Sequence, residues 1–232
     1  FAQEDGGLTM QDMEQWTNCE CRIAVSEWRA STAQAAARTG RRRGPRKPPE
    51  FLARIISAIA RLDRLNPDIQ ALTNERLSVL GSAYKRLAWM KGGRRIKALR
   101  EARDRYRRSD TAKDGTNYAL VNWGALDLVL KWQQRSPHVQ ADAQSDLDQR
   151  LISARAALGA KIEREPDLWD LAAYADLTLL LRLRSGPLIA GPDTATEEKE
   201  LVDSYCEVRR LANAREDATV VEQLEFLADM AE

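Results

Sequence analysis

A chain of 232 residues with a net charge of +1 is long enough for one large domain or two small ones, and it has no global field to draw nucleic acid or a membrane. Hydrophobic residues make up 44% and aromatic residues only 6%; Leu, Ala, Arg and Glu dominate, which favours helices and leaves little material for a sheet. Three cysteines, Cys19, Cys21 and Cys206, are odd in number and lack framework spacing, which excludes a disulfide scaffold and points to a reducing, cytoplasmic compartment.

In chain order, residues 1–8 are polar and contain Gly6-Gly7, and a helical pattern then runs from about Thr9 to Arg38, with Thr9 and Asp12 spaced as a cap. The segment GRRRGPRKPP, Gly40 to Pro49, reads as an exposed linker. Pro49 opens a second helix, on which Phe51, Leu52, Ile55, Ile56, Ile59, Leu62 and Leu65 form one apolar stripe ended by Asn66-Pro67. Helix three spans about Asn74 to Met90. Gly92-Gly93 turns the chain into helix four, about Arg94 to Arg108, and helix five covers about Tyr118 to Gln134. After Ser136-Pro137, helix six is expected over Ala143 to Arg164, and Pro166 opens helix seven, which runs to about Leu183. A Gly and Pro cluster, Arg184 to Thr194, precedes helix eight (Thr196 to Ala214) and helix nine (Thr219 to Ala231). No apolar run reaches the roughly 20 residues of a membrane span; the longest, Leu177 to Leu183, is broken by Thr178 and Arg182. The chain opens on Phe1 without a signal peptide, and it reads as a piece of a longer cytosolic polypeptide.

Helix three contains an interior glycine, which costs roughly 1 kcal/mol relative to Ala, so something nearby needs the missing side chain. Leu77-x2-Leu80-Gly81-x2-Tyr84 fits the first half of the tetratricopeptide (TPR) pattern, and Ala102-x3-Tyr106 fits the second. Gly81 and Ala102 lie about nine residues further apart than in a 34-residue unit, so the turn or helices must be longer. In this reading Gly81 and Ala102 let two helices approach, and Tyr84 and Tyr106 fill the space between successive pairs. The expected fold is all-α, with antiparallel helix pairs stacked as a short TPR-like solenoid. Its expected divisions are residues 1–48, an N-terminal helix with a basic loop, and residues 49–232, the TPR-like domain.

Further blocks sharpen this. Tyr118-Ala-Leu-Val-Asn122-Trp123-Gly-Ala-Leu126, Asp167-Leu-Trp169-Asp-Leu-Ala172 with Leu179-Leu180, and Val220 to Leu227 occur in that order. Over about residues 74–232 the chain resembles the TPR-like TRAF-binding domain of apoptosis signal-regulating kinases and its bacterial relatives. It departs from them at Ser82, where a basic residue is common. The resemblance implies a regulatory or sensor module of the kind that accompanies caspase-like or CHAT proteases. Its partner would then be such a protease or a signalling component.

The residues offer little chemistry. His138, the single histidine, sits beside Pro137 in a loop, and no nucleophile motif surrounds any cysteine. Cys19 and Cys21 lie on a helix rather than in a zinc knuckle. No phosphate-binding glycine motif occurs, and Glu163, Glu165, Asp167 and Asp170 read as caps and exposed faces. No enzyme activity and no cofactor are expected. Two basic clusters are notable, the loop Arg41, Arg42, Arg43, Arg46 and Lys47, and helix four with Arg94, Arg95, Arg100, Arg103 and Arg107. Such clusters read first as solvated or intramolecularly paired charge; beyond that, the helix is the candidate surface for an acidic protein partner and the loop a protease-accessible segment. Nucleic acid is the disfavoured alternative, since single-strand binders interleave exposed aromatics with their cations. The six tryptophans are expected in the core, Trp132 excepted.

Overall fold

The computed structural model describes residues 9–39, 49–65, 73–90, 95–111, 116–134, 146–185 and 192–231. Among these the chain is all-α and forms two compact units, Phe1–Gly115 and Thr116–Glu232.

The first unit holds α1 (Met10–Thr39), α2 (Pro49–Leu65), α3 (Asn74–Trp89) and α4 (Arg95–Thr111). The Thr9–Asp12 cap starts α1. Thr9 donates from its backbone N and its Oγ1 to Asp12 Oδ2, at 3.0 and 2.7 Å, while Asp12 N donates to Thr9 Oγ1. Ion pairs mark the direction of α2. Glu20 meets Arg61 and Glu27 meets Arg54, so position falls along α2 as it rises along α1, and the two run antiparallel. The α3/α4 hairpin is antiparallel by the same reasoning, with Ser78 against Ser109 and Gly81 against Tyr106. Helices α1 and α3 run parallel, because Glu14 pairs with Arg76, Asn18 with Arg86, and Arg29 lies over the Trp89 ring. Two hairpins whose first helices lie side by side in the same direction are the arrangement a TPR-like repeat requires.

The core of this unit contains Ile55, Leu62, Leu80, Trp89, Leu99 and Tyr106, all essentially sealed from solvent. Full burial of a large aliphatic or aromatic side chain is worth about 1.5–3 kcal/mol. The stripe predicted for α2 divides. Ile55, Ile59 and Leu62 are buried, but Ile56 stays half exposed on the outer side.

The second unit holds α5 (Asn117–Gln134), α6 (Asp146–Ile162), α7 (Leu168–Arg184), α8 (Pro192–Leu211) and α9 (Ala214–Ala231). Helix α6 is antiparallel to α7, since Asp148, Arg155 and Lys161 meet Arg184, Thr178 and Asp170 in turn. Gly124 and Asp127 meet Leu180 and Arg184, so α5 and α7 run parallel with α6 across them. Helix α7 begins after Pro166 rather than at it. Asp167 is its N-cap, and its Oδ1 accepts from Trp169 N at 2.8 Å and Asp170 N at 3.4 Å. Ala172, Val208 and Val220 join α7, α8 and α9, with Leu168, Leu171 and Tyr205 packed around them.

Candidate interaction surface

The motif residues Leu77, Leu80, Gly81, Ala102 and Tyr106 are all buried in the α3/α4 hairpin. A Cβ added to Gly81 would lie 2.9 Å from both Cδ2 and Cε2 of Tyr106 and 3.2 Å from its Cγ. The space left by the missing side chain is therefore filled by an aromatic ring, not by the backbone of α4. Tyr84 points the other way. Its hydroxyl donates to Asp63 Oδ2 of α2 at 3.4 Å, and the Arg105 guanidinium lies 5.8 Å from its ring centre. Burial raises the Asp63 carboxyl above its ordinary range, with Arg105 and the Tyr84 hydroxyl acting against it. Asn122 is buried on α5, where its side-chain amide donates to the Tyr118 carbonyl at 2.9 Å. Trp169 is 49% exposed, just after the α7 N-cap.

Trp132, expected outside the core, is half buried. Trp16 departs from expectation: it is 51% exposed, with the Arg61 guanidinium 4.4 Å from its ring centre. A large ring at the edge of a two-helix face can be covered by a cation from the neighbouring helix instead of entering the core.

Helix α4 separates its chemistry by face. Ala98, Leu99, Ala102, Tyr106, Ser109 and Asp110 are buried, whereas Lys97, Arg100, Arg107 and Arg108 are exposed. Arg95 and Arg103 are half buried, and Arg103 is held by the neighbouring Asp104 carboxylate at 2.9 Å. Arg105 turns inward toward Glu101 and the Tyr84 ring. Of the five cations singled out on helix four, Arg100 and Arg107 thus lie fully on the outer surface. Arg94 lies outside the described residues, as do Arg41, Arg42, Arg43, Arg46, Lys47 and His138.

A buried polar lattice between α1 and α3 went unnoticed in the sequence. Glu14, 5% exposed, is ion-paired with Arg76, 2.8 Å from its Nε; Arg86, 6% exposed, donates to Asn18 Oδ1 at 3.1 Å and Ser82 Oγ at 2.8 Å. Cys21 is buried beside this lattice, and desolvation pushes its thiol up to about 11, despite opposing attraction from Arg86. Cys19 is exposed instead, because positions two apart on a helix point to nearly opposite sides. No cluster of three or more metal-ligating side chains occurs among the described residues. No helix among them is long and apolar enough to cross a membrane.

In comparison with known proteins, the model of the family described as Tetratricopeptide Repeats-Sensor matches residues 8–127. No curated protein and no solved structure matches the chain. The matched span includes α1 and α2, which the resemblance read from residues 74–232 had left aside.

Proposed function

The chain belongs to the Tetratricopeptide Repeats-Sensor family, and from that membership we propose that it is a non-catalytic protein-interaction module of the cytoplasm. In this reading it serves as a regulator, sensor or substrate of a protease or signalling component in a bacterial conflict system. A caspase-like or CHAT protease is the proposed partner. Helices α1 to α4 provide the docking unit, and the segment Arg41 to Lys47 adds a basic, cleavable stretch.

One observation supports the surface. Helix α4 spends its apolar face on its own hairpin and turns Lys97, Arg100, Arg107 and Arg108 outward. A helix that buries one side and presents cations on the other reads a partner by shape and complementary charge rather than by apolar area. The acidic surface of a protein suits it better than a nucleic acid, because the one aromatic on α4, Tyr106, is buried and no stacking platform accompanies the cations.

The test is a pull-down with the chain carrying Arg100→Glu, Arg103→Glu and Arg107→Glu together. Partners recovered by the unaltered chain should be lost from this variant. An unchanged set of partners would remove the α4 face from the interaction. A filter-binding titration at two salt concentrations addresses the alternative of a nucleic-acid adaptor, for which affinity would fall steeply with salt.

A further inference from the structure

The second unit contains a cleft of about 620 Å³ between α6, α7 and α8, within the size range of small-ligand sites. Its walls carry opposite charge. Arg155 of α6 and Arg182 of α7 form one wall, and Glu200 and Asp203 of α8 form the other. Leu181 and Leu201, both half buried, also line it.

The Arg155 guanidinium is held before any ligand arrives. Its Nε donates to Thr178 Oγ1 at 2.8 Å, its Nη2 donates to the Tyr174 hydroxyl at 3.2 Å, and it lies 5.1 Å from the Tyr174 ring centre. The Thr178 hydroxyl donates in turn to the Tyr174 carbonyl at 2.8 Å, so its remaining lone pairs serve as an acceptor for Arg155. A guanidinium has five N–H donors in a rigid fork, and this bracing engages only part of them. Across the cleft, Glu200 and Asp203 are three residues apart on one face of α8 and exposed. Neither carboxylate has a partner among the described residues, and neither pairs with Arg155.

A cleft with a braced cation and two carboxylates that have no partner among the described residues is not a site for a single ion. A simple anion would meet the field of Glu200 and Asp203, and a simple cation that of Arg155 and Arg182. A ligand carrying both charges satisfies both walls. We propose that this cleft binds a zwitterionic ligand whose carboxylate meets Arg155, whose aliphatic stem lies on Leu181 and Leu201, and whose cationic end meets Glu200 and Asp203. A lysine residue with a free carboxylate has this chemistry, either as the free amino acid or as the last residue of a peptide. The site is independent of the α4 surface, and neither reading depends on the other.

Calorimetric titration of the full chain with three probes tests this: L-lysine, Nα-acetyl-L-lysine, and an N-acetylated tetrapeptide ending in lysine. At least one should bind saturably at millimolar concentration or below. Nα-acetyl-lysine amide, without the carboxylate, and Nα-acetyl-norleucine, without the cation, should each bind about tenfold more weakly, the loss of one charge contact. The Arg155→Gln variant and the Glu200→Gln/Asp203→Asn double variant should show losses of the same size. The α8 positions are exposed, so that double variant keeps the test valid if Arg155→Gln fails to fold, as circular dichroism would reveal. Tighter binding of the tetrapeptide identifies a chain terminus as the ligand; equal or tighter binding of L-lysine identifies the free amino acid. Absence of saturable binding by all three probes overturns the proposal. So does equal binding of the amide or norleucine control, or binding unaffected by the α8 double variant.

Discussion

Gly81 in the first unit and Gly124 in the second stand in the same local pattern, Leu77-x2-Leu80-Gly81 and Leu120-x2-Trp123-Gly124. What covers them differs. Gly81 lies under the ring of Tyr106, which is fully buried, and an added Cβ would sit 2.9 Å from two ring carbons. Gly124 lies under the ends of two leucines, with 3.2 Å from an added Cβ to Cδ2 of Leu151 and to Cδ1 of Leu180. A buried ring moves only as a rigid plate, whereas a leucine methyl can shift by a few tenths of an ångström through its own torsions. The same short pattern therefore encodes a strict requirement for glycine in one unit and a loose one in the other.

The largest effect should come from removing the plate itself. Tyr106→Ala is expected to destabilise the first unit by about 3–5 kcal/mol, the range for truncating a buried aromatic. Urea denaturation followed by circular dichroism measures it. A loss under about 1 kcal/mol would mean that the ring does not fill the space over Gly81.

The second unit is fastened differently, by a charge shared among three helices. Arg184, 6% exposed on its side chain, donates from Nε to Asp148 Oδ1 at 2.6 Å and from Nη1 to Asp127 Oδ2 at 2.9 Å. Breaking a buried ion pair on one side costs about 3–5 kcal/mol. Here the carboxylates keep about a quarter of their exposure and Lys131 also reaches Asp127 at 3.3 Å. Arg184→Met should therefore cost about 2–3 kcal/mol, somewhat below the full-burial range. If the melting midpoint does not move, the α5–α6–α7 junction rests on its apolar contacts alone.

Alkaline titration gives the first unit a signature of its own. The Cys21 thiol is raised from 9.0 to about 11 by burial, so the folded chain keeps a proton that the unfolded chain releases. The stability linked to it is whole below pH 9 and is lost as pH rises through about 11, a total of about 2–3 kcal/mol. Cys21→Ala should flatten the stability curve between those limits when the two chains are compared at matched pH. An unchanged slope would show Cys21 to be solvated.

Gly81→Ala comes next. The gain in helix propensity is about 1 kcal/mol, and the collision with the Tyr106 ring costs about 1–3 kcal/mol as overpacking. A net loss of up to about 2 kcal/mol follows. Paired with Tyr106→Leu, most of that loss should vanish, because the two changes share one contact and cannot add. Strict additivity would separate Gly81 from the ring.

Much of this architecture was legible because it is local. Pro49 and the Thr9–Asp12 cap delimit helices through interactions a few residues long, and the bounds of α1 to α5 fall within about three residues of their sequence-based positions. What escaped depends on register between distant segments. Arg86 reads as a surface residue on α3 until Asn18, 68 positions earlier, is brought beside it. Polar positions such as Glu14 and Asn18 also interrupt the apolar stripe of α1, which hid its place in the TPR-like unit. Of the basic α4 surface, the sequence displayed the cations but not which were committed inward. Arg105 and Arg100 look alike in a list of charges, and only packing turns one toward Tyr84 and leaves the other in water.

Gly124→Ala is the sharpest way to divide the two units, because the expected effect is small. The added methyl would meet Leu151 and Leu180 at 3.2 Å, so each leucine must yield slightly, and both are branched ends able to do so. Against that stands about 1 kcal/mol of helix propensity, together with the reduced backbone freedom of the unfolded chain. These terms should offset to leave a change within about 1 kcal/mol of zero, of either sign. A loss matching that of Gly81→Ala would show that the leucines around α5 are as immobile as the Tyr106 ring, and the distinction between a rigid and a compliant cover would have to be abandoned. A gain would show instead that glycine is retained at 124 for a reason other than packing within the second unit.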